Sequence, residues 1–226
     1  MFTALTLQTE VNDVNIMRSM LPKATYHHGD LRVALVRAAM ELLEEGGETA
    51  LSLRAVARRA GVSPAAPYRH YADREALVSA VAAVGYRELA ERLAAAHPSP
   101  STPEQLASVA IAYVQFALDR PALFRIMFGE PCDHDNDERV AATAAVSLYV
   151  RQIVERAFPD ADADPLGTAI WALVHGLAFL HLDGKLAASD PSVVAERTDA
   201  AINALMSATA ANDTANALSE LGPSAH

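Results

Sequence analysis

Residues 51–71 read LSLRAVARRAGVSPAAPYRHY, and this stretch decides the fold of the chain. Ser52 precedes a short run of apolar and basic residues, which predicts a helix, since serine is a preferred N-cap. Gly61 ends that helix, and Ser63 predicts the cap of another, with Pro64 at a position where a missing N–H is harmless. Two short helices joined by a glycine turn are typical of a helix-turn-helix.

The same stretch is basic in an acidic chain. Residues 51–74 contain five arginines and one aspartate, a balance of +4, whereas the whole chain of 226 residues has a formal net charge of −10. Residues 75–226 contain 9 basic and 20 acidic side chains, a balance of −11. Basic residues focused on one face of an acidic protein indicate a nucleic-acid contact.

Outward from this stretch, helical spacing continues in both directions. Asp30 is a candidate cap for a first helix that ends at Gly46-Gly47, and Asp73 caps a long helix to about Ala96. Five further helices are predicted at 103–119, 121–128, 136–157, 165–182 and from Pro191 to about Thr209. With no strand pattern in the sequence, we predict an all-α fold of about nine helices.

These patterns, together with the family resemblance that the same residues carry, divide the chain into four predicted segments. Residues 1–24 are predicted as a flexible arm, 25–74 as the helix-turn-helix DNA-binding domain, 75–210 as an effector-binding and dimerisation domain, and 211–226 as a disordered tail. Cys132 is the single cysteine, so an internal disulfide is excluded.

The positions of charged residues indicate whether the protein is secreted or inserted into a membrane. The first residues carry acids and no base before Arg18, unlike a signal peptide. Residues 165–182 lack charged side chains and approach membrane-spanning length, but two histidines and two glycines favour a core helix. We therefore predict a cytoplasmic protein with no membrane partner.

Order and spacing across 28–77 resemble the TetR family of bacterial transcriptional repressors. The resemblance rests on HGDLRVALVRAAMELLEEGG, LSLRAVARRAGVS and PYRHYADREAL. It implies a homodimer that binds palindromic double-stranded operator DNA and is released by a small apolar effector. The stretches YHHGDL and WALVHGLAFL further resemble a subgroup whose ligand domain carries Trp-x-x-x-His-Gly.

The candidate DNA contacts combine this resemblance with side-chain chemistry. Small side chains at the tip of the recognition helix allow contact with thymine methyls, and the polar side chains can reach phosphates or a guanine edge. The candidate set is Ser52, Arg54, Ser63, Ala65, Ala66, Tyr68, Arg69, His70 and Arg74. Pro67 stands where family members often have leucine, so we expect fewer direct base contacts and more readout of DNA shape.

For the effector, aromatic residues of the C-terminal half are the candidates. The predicted pocket set is Tyr113, Phe116, Phe124, Met127, Trp171 and His175. Such residues also form ordinary helical cores, and His175 equally suits a core or a dimer interface.

No enzyme motif occurs, so catalytic residues, cofactors and metals are not predicted. Two alternatives stay open. One is a small-molecule-binding protein or enzyme that kept the fold and lost operator binding. The other is a metal or redox sensor that uses Cys132 and His134, although a mobile loop is the preferred interpretation of these two residues.

Overall fold

The computed structural model describes residues 28–129 and 137–220, which form eight α-helices and two 3-10 turns and contain no strand within those ranges. The 3-10 turns are Glu48–Ala50 and Pro67–Arg69. The helices are α1 His28–Gly46, α2 Leu53–Arg59, α3 Arg74–Ala96, α4 Pro103–Asp119, α5 Pro121–Gly129, α6 Asp137–Ala157, α7 Ala163–Leu182 and α8 Pro191–Glu220. The predicted all-α fold is confirmed.

Two of the predicted caps position the N-terminal unit. The Ser52 hydroxyl accepts a hydrogen bond from the Ala55 amide at 3.2 Å, and the Asp73 carboxylate accepts one from Ala76 at 2.8 Å. These bonds satisfy amides that a helix start leaves without an intrahelical partner. Tyr71, only 2% exposed, closes the core between α1, α2 and α3.

The third helix predicted from Ser63 is not an α-helix. The Ser63 carbonyl accepts from the Ala66 amide at 3.0 Å, three residues on, and a 3-10 turn follows over Pro67–Arg69. Pro67 explains the difference, because it lacks the N–H that an α-helix would donate to Ser63. The described residues therefore contain eight α-helices where the sequence predicted about nine.

In the C-terminal domain α3 is shared by both units and packs against α6, while α4 packs against α7 and α8. By length and hydropathy α7 could span a bilayer, with a mean hydropathy of 1.4 over its most apolar window. It nevertheless buries one face in the core, and its buried residues include Leu166, Ile170, Val174, Leu177 and His181. The core-helix prediction agrees with this packing.

The last helix is longer than predicted. Helix α8 runs to Glu220, whereas the sequence reading ended it near Thr209 and placed a disordered tail over 211–226. No glycine or proline occurs between 192 and 220, and alanine is frequent there, so helix propensity favours continuation. Residues 221–226 and the predicted arm over 1–24 lie outside the described residues.

Candidate DNA interface and effector cavity

Three arginines of the helix-turn-helix point into solvent. Arg54 and Arg58 on α2 and Arg69 on the 3-10 turn are all exposed. None of the three side chains forms an ion pair or hydrogen bond within the part of the chain that the structure describes. Their charges are available to a polyanion without breaking any internal contact. Beside them Tyr68 is 53% exposed, which is high for so large a side chain.

Two other arginines of the same stretch turn back into the protein. Arg59 pairs with Glu41 at 3.4 Å and with Glu45, and its hydrogen bond lowers the pKa of Glu45. Arg74 donates to the Leu51 carbonyl at 3.2 Å and to the Glu48 carboxylate at 2.7 Å. The predicted phosphate ligand Arg74 thus braces the loop before α2.

The remaining candidates lie along the turn. Ser63 and Ala65 are exposed and Ala66 is half-buried, so the small side chains leave the backbone accessible at the tip. The Nε2 atom of His70 is buried without a hydrogen-bond partner among the described residues. In this conformation that nitrogen faces the protein, and only Tyr68 of the predicted phosphate-binding pair projects outward.

Two basic residues near this surface were absent from the candidate set. Arg58 lies one turn after Arg54, and helical periodicity alone could have identified it. The guanidinium of Arg32 lies 5.9 Å from the centroid of the Tyr71 ring, which places α1 against the recognition segment. That contact spans 39 positions in the sequence, and no local pattern signals it.

A cavity of about 480 Å³ opens between α3, α5, α6 and α7. Aromatic rings and aliphatic side chains form most of its wall, and these are Tyr86, Phe128, Val146, Leu148, Val150 and Trp171. Its volume falls in the range of small-molecule sites. Leu148 and Trp171 are 56% and 44% exposed, so the mouth is apolar as well.

The polar part of the wall comes from α6 and α7. Three hydroxyls line it, those of Thr143, Ser147 and Thr168, together with the ions Arg151 and Asp164. Arg151 and Asp164 lie 3.5 Å apart and join the two helices at the cavity edge.

Of the predicted effector residues, Trp171 lines this cavity, and Tyr113 and Trp171 line a smaller one of about 40 Å³. Phe116, Phe124 and Met127 are almost completely buried and line neither cavity. They form the core behind the wall, because large apolar side chains on facing helices exclude solvent most effectively.

His175 joins that core to the cavity wall. Its ring centroid lies 4.8 Å from Phe128, 4.9 Å from Phe179 and 5.4 Å from Trp171, and its Nδ1 lies 3.0 Å from the Tyr113 hydroxyl. Burial lowers the pKa of His175 and raises the pKa of Tyr113, the latter opposed by a hydrogen bond with Trp171. Both groups are therefore neutral at physiological pH, and they tie α4 to α7.

Helix α5 lies between the cavity and the helix-turn-helix. At its start, Arg120 pairs with Glu44 of α1 at 3.1 Å and with Glu88 of α3 at 3.5 Å. At its other end, Phe128 lines the cavity. One helix of nine residues thus contacts both regions.

Two family models match successive parts of the chain. Residues 35–81 match the model of bacterial regulatory proteins of the tetR family, and residues 106–205 match a tetracyclin repressor-like C-terminal domain. The first covers the helix-turn-helix, and the second covers most of α4 to α8.

Sequence relatives agree with the family models. The chain is 24% identical over 147 residues to the uncharacterized HTH-type transcriptional regulator YobS of Bacillus subtilis, covering 65% of this chain and 76% of that one. It is 28% identical over 152 residues to the HTH-type transcriptional regulator BetI of Rhizobium meliloti, covering 65% and 75%.

Solved structures extend the likeness to the whole fold. A protein of unknown function from Rhodococcus sp. RHA1 is 34% identical, with a TM-score of 0.68 over 80% of this chain and 98% of that one. A regulatory protein in the tetR family from Rhodococcus RHA1 shares the fold at 22% identity, with a TM-score of 0.58 over 76% and 95%. The chain belongs to the TetR family of helix-turn-helix transcriptional regulators.

Proposed function

We propose that the protein is a cytoplasmic, homodimeric repressor that binds a palindromic operator and is released when a small molecule enters the larger cavity. The observation that carries the proposal is the group of exposed arginines without internal partners, Arg54, Arg58 and Arg69, on an otherwise acidic chain. Unpaired charges on one face provide attraction to phosphates without the loss of an internal ion pair.

Recognition would use few base contacts. The 3-10 turn over Pro67–Arg69 is short and rises steeply, so only Tyr68 and Arg69 project from it together. Arg54 supplies a third contact from α2. We infer that DNA shape and phosphate positions contribute most of the specificity, and that a guanine contact by Arg69 adds to them.

Release would pass through α5. A ligand that displaces Phe128 at the cavity wall would shift α5. Arg120, the residue immediately before α5, pairs with Glu44 of α1, so the shift would reach α1. A movement of α1 changes the distance between the two recognition segments of a dimer. The ligand releases DNA to the extent that it binds the released arrangement more tightly.

The direct test is a titration of the full-length protein against the DNA upstream of its own gene, with a scrambled duplex of equal length as control. If the three exposed arginines of each subunit neutralise about six phosphates per dimer, affinity should fall about 10³-fold between 50 and 200 mM salt. Fluorescence anisotropy measures this. An affinity that does not change with salt, or that is equal for both duplexes, would contradict operator binding.

Dimerisation is proposed through α7 and α8, which expose several small or apolar residues among polar ones. On α7 these are Thr168, Ala169, Ala172 and Leu180, and on α8 they are Val193, Ala200 and Ala204. Small residues allow close helix packing between two copies.

Gly176 provides a sharp test of that surface. A Cβ at Gly176 would meet nothing within 4 Å in one protomer, so Gly176→Leu should leave the protomer folded. Against a partner the added side chain should overpack and weaken the dimer by about 1–3 kcal/mol. Sedimentation or light scattering over a dilution series measures the dimer, and circular dichroism checks the fold. Gly129→Leu is the matched control, since Gly129 also has open space. A full-strength Gly176→Leu dimer would place the interface elsewhere.

The second candidate is a ligand-binding protein that lost operator binding, which the same salt titration would reveal. A sensor built on Cys132 and His134 lies outside the described residues, and within them no group of three or more His, Cys, Asp or Glu side chains could hold a metal ion.

A further inference from the structure

The hydroxyl groups that line the larger cavity can accept hydrogen bonds from a ligand but have no proton left to donate. Thr143, Ser147 and Thr168 each donate their hydroxyl proton to the carbonyl four residues earlier, at 2.8, 3.2 and 2.9 Å. Each hydroxyl has therefore used its only proton, and its lone pairs remain to accept. Tyr86 likewise donates its hydroxyl proton to the Met127 carbonyl at 2.8 Å.

Arg151 is the charged donor on the wall, and two carboxylates already balance its charge, although its Nη2 group forms no hydrogen bond within the described residues. Its Nε donates to Glu155 at 2.8 Å, and its Nη1 lies 3.5 Å from Asp164. One positive and two negative groups give this trio a net charge of −1. The Asp164 side chain is 75% exposed, so its oxygens can also accept from a ligand.

The rest of the wall suits an apolar body. Tyr86, Phe128 and Trp171 present aromatic faces, and an aromatic face attracts a cation or an N–H group. A carboxylate or phosphate would have to use the donors of Arg151, whose positive charge Glu155 and Asp164 already outweigh, so its desolvation would be poorly compensated.

We propose that the cavity selects an apolar molecule that carries an ammonium group or a hydrogen-bond donor, and that it discriminates against carboxylates and phosphates. This rests on the proposed function for its regulatory meaning, since it names the chemical class of the effector. The binding preference itself depends only on the cavity wall. The site is also not the aromatic core around Phe116 and Phe124 but the space between α6 and α7.

Three probes of one shape test the preference: 1-adamantylamine, 1-adamantanol and 1-adamantanecarboxylate. They do not absorb where tryptophan does, and Trp171 at the cavity wall is the chain's single tryptophan, so its fluorescence reports binding. We expect the amine to bind tightest, the alcohol next, and the carboxylate at least 10-fold more weakly than the amine. A carboxylate that binds as tightly as the amine overturns the proposal, and so does an absence of binding by all three at millimolar concentration.

The Asp164→Asn variant removes the negative charge of this side chain and keeps its size and shape. It should remove most of the advantage of the amine over the alcohol, because the group formed by Arg151, Glu155 and residue 164 then loses its net charge of −1. Asp160→Asn is the matched control, since Asp160 is exposed nearby and does not line the cavity. If both variants bind the amine like the unchanged protein, Asp164 does not select the ligand and the proposal fails in that part.

Operator affinity without any probe is measured on the same samples. If the protein does not bind operator DNA, the regulatory function is refuted, but the three probe affinities can still be compared. A protein that binds the operator but shows the reverse order of probe affinities refutes the ligand class alone.

Discussion

Replacing Arg54 and Arg69 together by alanine is expected to weaken operator binding by about 4 kcal/mol, roughly 10³-fold. Each arginine that contacts a base or phosphate contributes about 1–3 kcal/mol. The proposed dimer presents each of them twice, so four contacts at the lower end of that range give about 4 kcal/mol. Neither side chain has an ion pair or hydrogen bond within the described residues, so the fold should not change. Anisotropy at fixed salt measures the loss, and thermal unfolding checks stability.

The matched control replaces two arginines far from the interface. Arg87 on α3 and Arg156 on α6 are both exposed, and the double alanine variant changes the net charge by the same amount. It should retain operator binding within a few-fold. If both double variants lose affinity equally, net charge and not position governs binding, and the assignment of the interface is wrong.

Phe124→Ala should lower the free energy of unfolding by about 3–5 kcal/mol. The Phe124 side chain is completely buried, and its ring centroid lies 4.7 Å from Phe128, 5.5 Å from Phe179 and 5.7 Å from Tyr113. The variant removes a ring from the centre of this cluster and leaves a cavity. Urea denaturation followed by circular dichroism measures the change.

Two further variants show whether Phe124 is core or effector contact. Phe124→Leu should be clearly milder than Phe124→Ala, and Trp171→Phe at the cavity wall should change stability little while altering ligand binding. A Phe124→Ala protein with nearly unchanged stability and lost ligand response would restore the original interpretation of Phe124 as a pocket residue.

Local sequence signals predicted most of the helices. Ser52 and Asp73 act within three residues of themselves, so their caps can be inferred without a fold. Pro67 shows the limit of such inference. Ser63 predicted the cap of an α-helix, but Pro67 cannot donate the bond to the Ser63 carbonyl, and the segment forms a 3-10 turn instead.

The functional surfaces depend on long-range packing and were predicted less completely. Arg54 and Arg59 look alike in sequence, yet only Arg59 meets the acidic face of α1, where Glu41 and Glu45 lie. The cavity is a gap between α3, α5, α6 and α7, and a gap between helices has no sequence signature. Phe116 and Phe124 were predicted as pocket residues because they are aromatic. Both are buried in the core and line neither cavity.

In the proposed release mechanism, the length of helix α5 sets the distance between the cavity and α1. Its nine residues span about 13 Å, whereas the 23 residues of α3 span about 34 Å. Within that proposal, the displacement crosses fewer than three helical turns and ends at the ion pair between Arg120 and Glu44, whose side chains are 29% and 55% exposed. Because added ions screen such a pair, the ionic strength of the cell would act on the protein twice. Higher ionic strength would weaken DNA binding. If release passes through α5 as proposed, it would also weaken the ion pair that joins the start of α5 to α1.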